Sequence, residues 1–156
     1  MTRSVFPTDS ASRRPTWNWW LSVGLSLLGV GVSAYLTWVK LTGNTASCGT
    51  VGDCESVNNS RYAEIGGVPI ALFGALSYLV LLALLLIEYR RPPAADTARL
   101  MVFGVSLIGT LYSAYLSYLE VAVLKAICPY CVASAIAVTA VLILCVMRLR
   151  SADADA

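Results

Sequence analysis

The sequence predicts an all-α integral membrane protein, one bundle of four transmembrane helices with a long extracytoplasmic loop between the first and second. Three observations lead there. Of 156 residues, 58% are hydrophobic and 13% charged, whereas a soluble domain carries about a quarter charged. The mean hydropathy is +0.72. The apolar residues are gathered into four runs, each near or above the roughly 20 residues a helix needs to cross hydrocarbon. So short a chain leaves no room for a second domain.

The elements follow in order. Residues 1–16, with Arg3, Arg13, Arg14 and Pro15, read as a polar tail. The first helix is expected over 17–41. It is too long for the apolar stretch of a signal peptide, roughly 7–15 residues, and so is a retained span. Trp17, Trp19 and Trp20 at one end and Trp38 at the other suit interfacial belts. Residues 42–68 are the only long polar connection, rich in Gly, Asn and Ser. The second helix is expected over 69–89, with Pro69 suited to a first helical turn. Arg90-Arg91-Pro92-Pro93 makes a basic turn. The third helix is expected over 98–124 and the fourth over 127–147, which bounds the four-helix domain at 17–150 and leaves 151–156 as a tail.

Basic residues orient the bundle. With the first residues inside, one side holds Arg3, Arg13, Arg14, Arg90, Arg91, Arg99, Arg148 and Arg150, and the other holds Lys40, Arg61 and Lys125. Eight against three is a positive-inside bias that makes both termini cytoplasmic. A weak repeat recurs at an offset of 80: Gly24, Ser26, Leu27, Gly29, Ser33, Ala34, Tyr35 and Leu36 return as Gly104, Ser106, Leu107, Gly109, Ser113, Ala114, Tyr115 and Leu116. Cys48 falls on Cys128 at the same offset. A duplication and the habitual recurrence of small residues in packed membrane helices both account for it.

Composition also limits the chemistry. A net charge of +2 makes no case for nucleic acid, and there is no histidine. Without imidazole, chemistry rests on cysteine, carboxylates or a bound cofactor. Four of the five cysteines, Cys48, Cys54, Cys128 and Cys131, come to the outer face, where disulfides persist. Cys145 lies 14 residues beyond Cys131, roughly 21 Å deeper at the rise of a helix, and reads as a buried small hydrophobe.

Cys128-Pro129-Tyr130-Cys131 is a CxxC opening a helix, where residues three apart share a face and exposed amides favour a thiolate. Cys48 and Cys54 bracket a loop containing Gly49, Gly52 and Asp53 that is able to close a disulfide and to move. Three arrangements fit these four cysteines. Two disulfides could staple an outer cap, four thiolates could hold zinc, or the two pairs could exchange electrons. The third is favoured because a helix-start CxxC sits within reach of a lipid-soluble oxidant. Asp53 and Glu55 suit the cap of a short loop helix or the approach of a partner. Glu120, near the outer end of the third helix, reads as interfacial, and Tyr112, Tyr115 and Tyr118 as packing or belt residues.

These features resemble the vitamin K epoxide reductase family in its bacterial form. The matching residues are the loop pair Cys48/Cys54, then Ser60-Arg61-Tyr62, then Gly66-Gly67-Val68-Pro69-Ile70-Ala71-Leu72-Phe73-Gly74, and the CxxC of Cys128 and Cys131. The likeness covers nearly all of residues 17–150. It implies a thiol oxidoreductase in which Cys131 faces a quinone, menaquinone or ubiquinone for example, with Cys128 as its disulfide partner. Cys54 would attack Cys128, and Cys48 would take electrons from a separate extracytoplasmic thioredoxin-like (DsbA-like) protein. Ser60 and Phe73 are the further quinone-pocket candidates; Ser60 equally suits a turn cap. No metal is implied. Ala135 stands where the vertebrate enzymes carry a tyrosine, and Pro69-Ile70-Ala71 lacks their asparagine, so the residues associated with epoxide reduction are absent. The rival readings are a non-enzymatic tetraspan protein with structural disulfides, and a DsbB-type quinone reductase on another scaffold, in which the CxxC precedes the separated pair.

Overall fold

A computed structural model describes residues 17–44 and 53–154. In chain order the elements are α1 (Trp17–Thr42), the short α2 (Cys54–Asn58), β1 (Glu64–Ile65), β2 (Val68–Pro69), α3 (Ile70–Arg90), α4 (Ala95–Leu119) and α5 (Pro129–Ala154). A π turn, Glu120–Leu124, continues α4. With that turn included, the four long helices are each long and apolar enough to cross a membrane. Each packs on two neighbours, and the ring runs α1–α3–α4–α5. Successive crossings alternate in direction, so all neighbours are antiparallel, as in an up-down bundle. Four crossings put Trp17 and Ala154 on one face and the α2 loop on the other.

The helices are apolar on every side because both lipid and bundle interior are apolar. Leu27, Leu76, Ile108, Leu111, Ile136 and Ile143 are each more than half exposed and form the lipid-facing surface. The interior combines Leu81, Leu85, Val102 and Val141 with small polar residues, Ser22, Ser26 and Ser106, all fully buried. Ser26 Oγ donates to Ser22 O at 2.8 Å and Ser106 Oγ to Val102 O at 2.7 Å. Each hydroxyl is therefore satisfied within its own helix, and backbones can approach closely. At Gly29 the Tyr78 ring fills the space a Cβ would take. That ring crosses the bundle to donate its hydroxyl to Ser134 O at 2.7 Å, pinning α1, α3 and α5 together. Gly109, the counterpart of Gly29 in the repeat, packs against Val138 in the same way, 3.0 Å from where its Cβ would lie. The repeated glycines thus both serve close packing.

Three expectations change. Pro92–Ala94 forms a 3-10 turn that feeds directly into a helix, so α4 starts at Ala95 rather than 98. The last helix starts at Pro129 and continues to Ala154, past the expected end near 147. Its extension follows from Arg148, which turns into the bundle instead of marking the interface: Glu88 accepts from Arg148 Nη1 at 2.8 Å and from Arg99 Nε at 3.1 Å. This buried node ties α3, α4 and α5 at the Trp17 face, and such intramembrane charges persist only when paired. The third change is Trp19, which is buried and donates Nε1–H to Leu85 O at 3.2 Å. Trp17, Trp20 and Trp38 do lie exposed as belts require. Cys145 is fully buried near the charged node, its thiol 3.5 Å from Arg99 O.

Candidate active site

The loop after α1 folds through local chemistry. Asp53 caps α2, accepting from Ser56 N–H at 3.0 Å and from the Ser56 hydroxyl at 2.6 Å. These bonds hold its carboxyl below the usual carboxylate range. Ser60 Oγ donates to Val57 O at 2.8 Å and closes the end of α2. A 3-10 turn, Arg61–Ala63, leads into the β1–β2 hairpin, in which Ile65 pairs with Val68. Gly66 and Gly67, with φ of +60° and +83°, make its two-residue turn. Both positions need the left-handed region, which glycine enters at no steric cost. The hairpin delivers Pro69 to the start of α3. Lys40, at the end of α1, clamps the whole loop: its ammonium donates to Asn58 O at 2.8 Å and pairs with Glu64 at 2.9 Å.

The second half of the site is built by the end of α4. The π turn stops at Lys125, whose φ of +51° reverses the chain, and Ala126 N–H closes on Glu120 O at 3.1 Å. Residues 125–128 then lead into α5. Glu120, expected at the interface, is instead buried at 4% exposure, and its Oε2 accepts the Cys128 N–H at 3.1 Å. An exposed amide at a helix start is an orphan donor, and the carboxylate satisfies it.

The two halves meet at sulfur. Asp53 N–H donates to Ile127 O at 3.1 Å, locking the cap of α2 to the segment before the CxxC. Cys54 and Cys128, each 1% exposed, consequently touch, with the Cys128 thiol directed at Cys54 Sγ at 3.4 Å. Cys54 is engaged in a disulfide, whereas Cys128, Cys131 and Cys145 are free thiols. Cys48 lies outside the described residues. The Cys131 thiol hydrogen-bonds to Cys128 and thereby lowers the Cys128 pKa, against the opposing effects of burial and the Glu120 charge. Tyr130, between the two cysteines, packs against Tyr35 of α1 with ring centroids 5.3 Å apart.

Cys128 and Cys131 open onto a cavity of about 430 Å³ enclosed by the four long helices and roofed by the loop. Ser60 and Phe73 both line it, as do Tyr62, Tyr78 and Tyr112. Its walls are apolar with scattered hydroxyls, and among the described residues Glu120 is the only charged side chain lining it. That combination suits a flat, apolar molecule carrying carbonyl oxygens. Among the described residues no three metal-ligating side chains cluster.

The model of the vitamin K epoxide reductase family matches residues 20–146, which takes in all four helices, the loop and the CxxC. The chain belongs to the vitamin K epoxide reductase family. It is 37% identical over 109 residues to the thiol-disulfide oxidoreductase LTO1 of Arabidopsis thaliana, a match covering 66% of this chain and 29% of that relative. The chain therefore corresponds to under a third of that protein's length. Family membership removes the DsbB-type scaffold from consideration. Glu120 is the site feature that sequence reasoning missed: a carboxylate eight residues before a CxxC, at the end of an apolar run, was its only signal.

Proposed function

We propose that this membrane protein is a thiol oxidoreductase that oxidises an extracytoplasmic thioredoxin-like protein and reduces a membrane quinone, supporting disulfide formation outside the cytoplasm. The observation that carries the reading is the 3.4 Å contact between Cys54 and Cys128 at the mouth of the apolar cavity. A disulfide is about 2.05 Å long, so closing this contact by about 1.4 Å makes the mixed disulfide through which exchange proceeds. Contact between two merely structural staples would serve no purpose.

The chain's residues act in sequence. Cys48, paired with Cys54, receives electrons from the partner's dithiol, and both become thiols. Cys54 thiolate attacks Cys128 of the oxidised CxxC and releases Cys131; Cys48 then closes on Cys54, leaving Cys128 and Cys131 as a dithiol. Cys131, lining the cavity, is the electron donor to the quinone, and Cys128 re-forms the disulfide with it. Ser60 and Phe73 help enclose the head group. The quinone supplies the oxidising potential, which is how an envelope compartment is kept oxidising. The positive-inside bias puts this chemistry on the outer face of a plasma membrane with both termini cytoplasmic.

The test is reconstitution into proteoliposomes with a reduced thioredoxin-like protein and menaquinone or ubiquinone. Quinol should form, and Cys128→Ser or Cys131→Ser should abolish it. No quinol from the native protein, with both disulfides inert to the donor, would leave a tetraspan protein with structural disulfides.

A further inference from the structure

Glu120 is expensive to bury. A carboxylate inside a membrane bundle is retained only where it is paired or used, and among the described residues no cation pairs with it: Lys125, the nearest in sequence, is exposed. Its side chain lies against the start of α5, where one oxygen accepts the Cys128 N–H at 3.1 Å, three residues before Cys131. It also lines the cavity into which Cys131 opens. The other titratable groups on that lining are Cys128 and Cys131 themselves and the phenols Tyr62, Tyr78 and Tyr112. The chain has no histidine.

The reaction requires such a group. Oxidising two thiols to one disulfide while a quinone becomes a quinol moves two electrons and two protons, with none taken up or lost overall. The protons begin on sulfur and must end on quinol oxygens, and Glu120 lines the same cavity as both thiols. We propose that Glu120 is the proton carrier of this dithiol oxidation. As Cys128 and Cys131 join, their electron pair passes to the quinone. The Glu120 carboxylate takes a thiol proton and hands it to a quinol oxygen, then does the same for the second, and ends as a carboxylate. Glu120 holds the Cys128 amide and lines the same cavity as Cys128 and Cys131, so one carboxylate stands beside both thiols. This assignment rests on the quinone-reductase reading above.

Replacement by glutamine separates proton transfer from capping. In Glu120→Gln an amide oxygen still accepts the Cys128 N–H, but no proton can be carried. Quinol formation driven by a small dithiol should fall roughly 100-fold, the low end of general acid–base contributions, and Glu120→Asp should recover part of it. The intact geometry is checked by the Cys54–Cys128 cross-link, which should still form in a Cys48→Ala background. A second readout needs neither quinone nor turnover: the pH profile of maleimide alkylation of the CxxC thiols. The titratable groups facing these thiols are Glu120 on the π turn and the phenols Tyr62, Tyr78 and Tyr112 on the cavity wall, while Cys54 on α2 is held in a disulfide. Removing the one negative charge should move the alkylation midpoint to lower pH while turnover falls, a pairing that a purely structural role would not give. Turnover of Glu120→Gln within threefold of native, or an unmoved alkylation profile, overturns the assignment with the oxidoreductase reading intact. Absence of quinol from the native protein overturns that reading and Glu120's proton delivery with it.

Discussion

Cys128 is tuned chiefly by the thiol one helical turn away. The hydrogen bond from Cys131 is the largest influence on it and lowers its pKa; the amides of Cys131 and Tyr130 act in the same sense. Burial and the Glu120 charge oppose them. The thiolate is the nucleophile, so alkylation of Cys128 should rise with pH and level off below the ordinary thiol value of 9.0. Cys131→Ala deletes the leading favourable influence and leaves the two amides alone against burial and Glu120, which both favour the neutral thiol. The midpoint should therefore move to higher pH, with about tenfold less thiolate at neutral pH for each unit of rise. Mass-spectrometric alkylation rates from pH 5 to 10 measure this, and a midpoint that falls or stays would refute the account of Cys128. Cys145, by contrast, lies at the far charged node with its thiol on Arg99 O, away from this chemistry.

At the scale of elements, α2 matters because of what holds it. Asp53 caps it, the Asp53–Ile127 backbone bond docks it on the approach to α5, and Lys40 clamps the following turn to α1. A five-residue helix has no stability of its own, so these ties decide where Cys54 sits. In the proposed relay, resolution of a mixed disulfide between Cys54 and Cys128 falls to Cys48. Cys48→Ala should accordingly accumulate a Cys54–Cys128 cross-link, detected by non-reducing peptide mapping after oxidation. Adding Lys40→Ala should lower its yield, because the loop loses both the Asn58 and Glu64 contacts. Recovery of only Cys128–Cys131, with Cys54 free under every redox condition, would rule out the relay.

The whole molecule separates two ends by charge. The loop end carries the sulfur chemistry; the opposite end carries Arg90, Arg91, Arg150 and the buried Glu88–Arg99–Arg148 node. The proposed orientation rests on this asymmetry. Ile65→Cys, on the exposed hairpin, should label with a membrane-impermeant maleimide in intact cells, whereas Arg91→Cys, at the end of α3, should label only after permeabilisation. The reverse pattern would put the site in contact with a reducing pool and end the proposed direction of electron flow.

The sequence by itself determined the number of spans, the CxxC at a helix start and the family, because run length, cysteine spacing and the Gly66–Gly74 segment are local signals. It also marked Asp53 as a cap, since capping depends on neighbours a few residues away. Which helix faces turn inward was not legible. In a membrane the lipid side is as apolar as the core, so hydrophobic periodicity loses its meaning; Trp19 and Trp20 look alike in the chain, yet only Trp19 is buried. The π turn and the left-handed Lys125 had no residue signature, since glycine is the usual occupant of such a φ. Only the tertiary structure decided that Glu120 turns under the CxxC and that Cys54 touches Cys128, 74 residues away. Both depend on how the loop and the end of α4 close over one cavity, a long-range packing outcome that no local pattern encodes.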